Sequence, residues 1–156
     1  MGKRELDRVR KIALTLPEVT ERVSHGALCF FVRDKLPLCY FHDDHRGDGR
    51  VSLWCRALVG VQEELVRASP ARFFKPQTSR SGAFRDWLGV FLDVPNVDWD
   101  EITALLEDSY CTVAPKRFVA EFCARHAGSD EVLHSKKRDA DGRQLKPHGH
   151  TRRGRF

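Results

Sequence analysis

Ala27-Leu28-Cys29-Phe30-Phe31-Val32, Leu36-Pro37-Leu38-Cys39-Tyr40-Phe41 and Val51-Ser52-Leu53-Trp54 decide the fold. Each run is short and dense in aromatic and β-branched residues, the side chains that pack well on a pleated surface. Short polar stretches separate them. Arg33-Asp34-Lys35 is one, and His42 to Gly49, which contains Gly47-Asp48-Gly49, is the other. Strands joined by turns of that kind form an antiparallel meander. Glu21 to His25 is placed to add an opening strand.

The flanks have a different period. Leu6, Val9, Ile12, Ala13 and Leu16 recur at helical spacing until Pro17 stops them. Leu58, Val61, Leu65 and Val66 mark a second helix that ends at Ser69-Pro70. Phe73-Phe74 and Trp87 to Leu92 read as further strands, with the polar stretch Lys75 to Ala83 as the loop between them. Asp98 and Glu101 have capping-box spacing, in which each side chain bonds a free N–H of the first turn. The helix they open carries Trp99, Ile102, Leu105, Leu106 and Ser109-Tyr110 on its inward stripe. Pro115 suits the first position of a last helix, where its missing N–H is harmless, and Phe118 and Phe122 pair at i, i+4 on it. This order is neither alternating βαβ nor all-β. It predicts an α+β fold: an antiparallel β-sheet with helices packed mainly on one face.

The 156 residues suffice for one domain and a tail. Hydrophobic residues make up 41% and charged residues 31%, which excludes collagen, a coiled coil and wholesale disorder. Lys and Arg number 27 against 22 Asp and Glu, a net charge of +5. That surplus is uneven. Residues 126–156 hold eight cations against four acids, and residues 1–125 are near neutral at +1. The segment 126–156 has too few apolar residues to offset its ordering entropy and is expected to be a disordered basic tail behind a 1–125 domain. No apolar run approaches the roughly 18 residues of a membrane span, and the first residues lack the apolar stretch of a secretion signal. A cytoplasmic protein is expected. Cys29, Cys39, Cys55, Cys111 and Cys123 are odd in number and contain no C-x-x-C pair, so they are expected as reduced packing residues.

Several stretches bear on chemistry. His42-Asp43-Asp44-His45 is the richest metal-ligand cluster by composition, but adjacent residues in a turn do not converge on one ion, and it reads as a solvated turn. No metal and no cofactor is expected. His25 and Gly26 stand before the first firm strand with no catalytic partner in view, which favours a residue held by backbone with Gly supplying an unusual dihedral. Pro115-Lys116-Arg117 sets two cations beside the free N–H groups of a helix start, a suitable anion site. Lys75 and Arg80 lie in a loop with Gln77, Thr78, Ser79 and Ser81, groups that suit phosphate contact. Lys136, Lys137, Arg138, Arg152 and Arg153 give the tail a sequence-independent, salt-sensitive attraction to polyanions. Trp54, Trp87 and Trp99 read mainly as core. No Gly-rich phosphate loop, paired catalytic carboxylates or H-E-x-x-H occurs, so no enzyme is expected.

Leu14-Thr15-Leu16-Pro17-Glu18-Val19, Ser24-His25-Gly26 with the strand after it, Lys35, and Leu106-Glu107-Asp108-Ser109-Tyr110 leading to Ala114-Pro115-Lys116-Arg117 form a series that resembles the MmcQ/YjbR family of small bacterial proteins. The resemblance runs from about Leu6 to Ala124. It implies a frataxin-like, or CyaY-like, α+β fold and a "double wing" arrangement proposed to bind DNA, with no catalytic residues attached. Within that fold Pro37 forbids one ladder hydrogen bond and predicts an edge or a bulge. The first helix lacks the acidic ridge of metal-binding frataxin-type proteins. The expectation is a non-enzymatic DNA-binding protein that meets phosphates through Lys75, Arg80, Lys116, Arg117 and the tail. The alternative is a binding module for a small anionic ligand or a protein partner, using a pocket between the sheet and the last helix.

Overall fold

The computed structural model describes residues 1–127. It divides the chain into Met1–Phe122 and the remainder from Cys123. The expected tail lies almost wholly outside the described residues. Met1–Phe122 is an α+β unit in the order α1 (Lys3–Ala13), β1 (Val19–Ser24), β2 (Ala27–Val32), β3 (Leu36–Asp43), β4 (Val51–Arg56), α2 (Val61–Ala68), β5 (Phe73–Phe74), β6 (Trp87–Phe91) and α3 (Trp99–Val113). A last helix, α4, occupies 116–127. The six strands form one antiparallel sheet in the order β1-β2-β3-β4-β6-β5.

Alternation along the strands sorts the apolar residues onto two faces. Phe30, Val32, Phe41, Leu53, Cys55, Leu88 and Val90 join Val9, Ala13, Ile102, Leu106, Tyr110 and Phe122 in the main core, which lies between the sheet and the helices. Cys29, Phe31, Tyr40, Trp54 and Trp87 form a second, smaller cluster on the opposite parity, with Phe74 and Phe84 against it. Both parities of β2, β3 and β4 are covered, so these strands read as nearly continuous apolar runs rather than clean alternations.

Pro37 lies at a bulge. The β2–β3 register runs Phe30↔Cys39 and then Phe31↔Pro37, which leaves Leu38 as the extra residue. β3 is an interior strand, so of the two expected outcomes the sheet takes the bulge; pairing with β4 starts only at Cys39↔Cys55, beyond the proline.

Ser109 ties the layers together. Buried on α3, its hydroxyl donates to the Leu38 carbonyl at 3.1 Å and accepts from the Arg56 N–H at 3.0 Å. Tyr110 donates to the Pro17 carbonyl at 3.0 Å.

Three expectations are corrected. α1 stops at Ala13, and Leu16 reaches the core from the turn that follows, where the Leu16 N–H donates to the Ala13 carbonyl. Only half of the capping box forms: Asp98 accepts from the N–H groups of Asp100 and Glu101, while the Glu101 carboxylate pairs with Arg72. Cys29, Cys39 and Cys55 are buried, but Cys111 and Cys123 are exposed, because each falls on an outward position of its helix.

Candidate functional site

The face of the sheet turned away from the helices carries a cavity of about 1260 Å³. Strand parity builds its floor. Tyr40 and Trp54 are direct cross-strand partners, and Arg56 pairs with Trp87, so all four project to the same side. His42 follows Tyr40 by two residues and joins them. The long connection between β5 and β6 then folds back, and Phe84 stands edge-on to Tyr40 at 5.6 Å, to Trp54 at 5.4 Å and to Trp87 at 5.1 Å between ring centroids. Phe84 takes a φ of 67°, which a bulky residue rarely adopts, and its three ring contacts hold it there. Gln62 on α2 anchors the end of this loop by donating to the Arg85 carbonyl at 3.3 Å, and Lys75 at its start pairs with Glu63 at 3.5 Å.

The rim is cationic. Arg46, Arg50, Arg56, Lys75 and Arg85 line the cavity against Asp48 and Asp86. Arg50 is fixed: its Nε and Nη2 donate to the Asp93 carboxylate at 2.7 and 2.8 Å, and its guanidinium lies 3.8 Å over the Phe91 ring. Asp93 is held below its ordinary carboxylate range mainly by that Arg50 contact. Arg56 lies 5.7 Å over Trp87.

His42 is 7% exposed, and so is Trp54. Their rings stand 4.2 Å apart, with His45 4.5 Å from His42. Burial, and secondarily the neighbouring His45, lowers the His42 pKa to about 4. The His42 Nε2, the Trp54 Nε1–H and the Arg56 Nε–H are all enclosed without a hydrogen-bond partner. Three such groups around one cavity are notable, because a buried polar group left unpaired costs about 1–3 kcal/mol. Burial also pushes the Cys29 and Cys55 thiols up to about 12 and Cys39 well above its ordinary value, so at neutral pH these are inert packing groups.

The residues singled out in the sequence fall in different places. Lys75 and His25 reach the cavity rim. Arg80 is exposed on the same β5–β6 loop. His25 and Gly26, at φ 50° and 79°, are the two central residues of the tight β1–β2 turn. Pro115 opens α4, its carbonyl accepting from the N–H groups of Phe118 and Val119. Lys116 and Arg117 are exposed on the helical layer, where Arg117 lies 4.5 Å over Phe118. They are not brought together with Lys75. Lys136, Lys137, Arg138, Arg152 and Arg153 lie outside the described residues.

Two expectations change. The space between the sheet and the last helix is core, filled by Tyr110, Phe118 and Phe122; the cavity is on the other face. His42 is not part of a solvated turn but a buried residue of β3. Among the described residues, no group of three or more His, Cys, Asp or Glu is placed to hold a metal ion. Nor is any described helix long and apolar enough to cross a membrane.

A family model described as YjbR matches residues 14–112, from the end of α1 through nearly all of α3. The chain belongs to the YjbR family. The matched span contains the whole sheet and every residue of the cavity, whereas Pro115, Lys116, Arg117 and the basic tail of this YjbR protein lie beyond it. Its fold is similar to that of the crystal structure of Deinococcus radiodurans protein DR2400, a DUF419 domain. The TM-score is 0.56 at 20% sequence identity, covering 69% of this chain and 76% of that one. A search of the curated proteins found no match.

Proposed function

We propose that this YjbR protein is a non-catalytic, cytoplasmic DNA-binding protein whose globular part meets the phosphate backbone with the cationic rim of the sheet cavity. One observation carries the reading. The first 125 residues sum to only +1, yet the rim gathers five cations, of which Arg50 and Lys75 pair with Asp93 and Glu63 while Arg46, Arg56 and Arg85 stand outside those two pairs. Five cationic side chains of a nearly neutral body therefore share one concave surface. A concave surface of one sign focuses the field on a polyanion. Arg80, on the loop beside the rim, extends it. Lys116, Arg117 and the tail residues Lys136, Lys137, Arg138, Arg152 and Arg153 supply further phosphate contacts, which position without reading sequence.

The test is binding of a random duplex as a function of salt. Each phosphate contact contributes about 0.9 to the log–log slope. Arg46→Ala with Arg85→Ala is expected to lower the slope by about 2 and to weaken binding uniformly across sequences. Truncation after Arg125 measures the share of the tail, and Lys116→Ala with Arg117→Ala that of α4. Absence of binding by the full chain at low salt overturns the reading. The concave, aromatic-floored shape of the cavity favours one other reading, a small anionic ligand. A rise in melting temperature with such a ligand and no affinity for DNA selects it.

A further inference from the structure

The cavity has more in it than a phosphate contact needs. A duplex backbone is satisfied by exposed cations, and it presents no flat apolar surface, because its bases are stacked on one another. Here the cations surround a wall of Tyr40, Trp54, Phe84 and Trp87, whose rings contact one another at 5.1–5.6 Å. Aromatic walls of this kind accept the π-face of a base, whatever the base is.

The unpartnered groups indicate what else must be met. The Trp54 Nε1–H and the Arg56 Nε–H are donors with no acceptor, and both side chains line the cavity. Exocyclic carbonyl and phosphate oxygens are acceptors. His42, kept neutral by its burial, can complement either a donor or an acceptor on a base edge. The volume, about 1260 Å³, exceeds the range of about 300–1,000 Å³ typical of small-molecule sites, so a nucleotide with its flanking phosphates fits without displacement of the sheet. The strained φ of Phe84 is consistent with a ligand clamp, where such conformations concentrate.

We infer that the cavity takes an unpaired nucleotide of a DNA strand, its base against the Tyr40, Trp54, Phe84 and Trp87 wall and its phosphates on the rim cations Arg46 and Arg85. This deepens the DNA-binding reading and rests on it. It makes single-stranded or frayed DNA the preferred substrate over closed duplex.

The full chain is titrated, at one salt concentration, with a labelled oligothymidylate, a closed hairpin duplex and an abasic strand of the same length. The oligothymidylate is expected to bind at least fivefold tighter than either of the others, which corresponds to about 1 kcal/mol of base stacking. Thymidine monophosphate is expected to displace it where the same concentration of inorganic phosphate does not. Trp54→Phe keeps a ring and removes the donor; Arg56→Gln removes the guanidinium on a less buried side chain. Trp54→Phe is expected to reduce the preference for the oligothymidylate while leaving hairpin affinity within twofold, whereas Arg56→Gln, which also removes a rim cation, is expected to weaken both probes and the oligothymidylate the more. A melting curve identifies any variant that fails to fold. Equal affinity for all three probes overturns the base site and leaves the polyanion reading standing. Binding to none of them overturns both.

Discussion

The ring of Phe74 lies directly on the backbone of Gly89, its cross-strand partner between β5 and β6. A methyl group at position 89 would stand inside that ring. Phe74 also stacks on Phe91, with centroids 4.6 Å apart, and lines the cavity. Glycine in a strand interior is ordinarily a weakness; here it admits the ring. Gly89→Ala is expected to cost about 1–3 kcal/mol, the range for overpacking. The cost should shrink on a Phe74→Ala background, where nothing remains to collide. Urea unfolding of the two single variants and the double variant closes the cycle; an undiminished cost in the double variant refutes the contact.

Ser109→Ala should be expensive for so small a change. It strands the Leu38 carbonyl and the Arg56 N–H, two groups that its hydroxyl satisfies at once. About 1–3 kcal/mol is expected from chemical denaturation. Because the Arg56 side chain lines the cavity, the same variant should weaken DNA binding relative to wild type even under conditions where it is fully folded.

His42 gives stability a pH dependence with a definite sign. Its folded pKa, about 4, lies below the ordinary value of 6.5, so the unfolded chain takes up the proton first. Its contribution is complete above pH 6.5 and is lost as the pH falls toward 4, a loss on the order of 3 kcal/mol. Asp93, also held below its ordinary value of 3.8, acts in a lower window: its stabilisation is lost only as the pH falls below that value. Unfolding of wild type and His42→Phe across pH 4 to 7 separates the two. A slope in that range that His42→Phe leaves unchanged would contradict the assignment.

The β1–β2 turn places His25 and Gly26 in left-handed conformations with open space around the Gly26 Cα. Gly26→Ala is therefore expected to cost about 1–2 kcal/mol through conformation alone. His25→Asn, a residue that tolerates this region, should leave the melting temperature level or raise it slightly. A loss of DNA affinity in a fully stable Gly26→Ala protein would instead give the turn a direct part in binding.

The strands were legible because a meander of aromatic and β-branched runs, broken by Gly and charged turns, has few other solutions. Pro37 even carried its bulge in the sequence. What escaped was mostly a matter of facing. Tyr40, His42, Trp54 and Arg56 share one strand parity, and that polar-aromatic parity against aliphatic partners was the available signal for the cavity. It was obscured because both faces of these strands are apolar enough to read as core. Lys116 and Arg117 were legible as a helix start, but nothing along the chain reveals which layer a helix start will join. Glu101 has the spacing to bond its own helix; Arg72, distant in sequence, pairs with it instead.

The pairing of Tyr40 with Trp54 has one more implication. Slipping β3 past β4 by a single position would send Tyr40 and His42 inward and turn Cys39 and Phe41 out. The packing that keeps the interior dry thereby also keeps the binding surface in register, so drift in either is checked by the other.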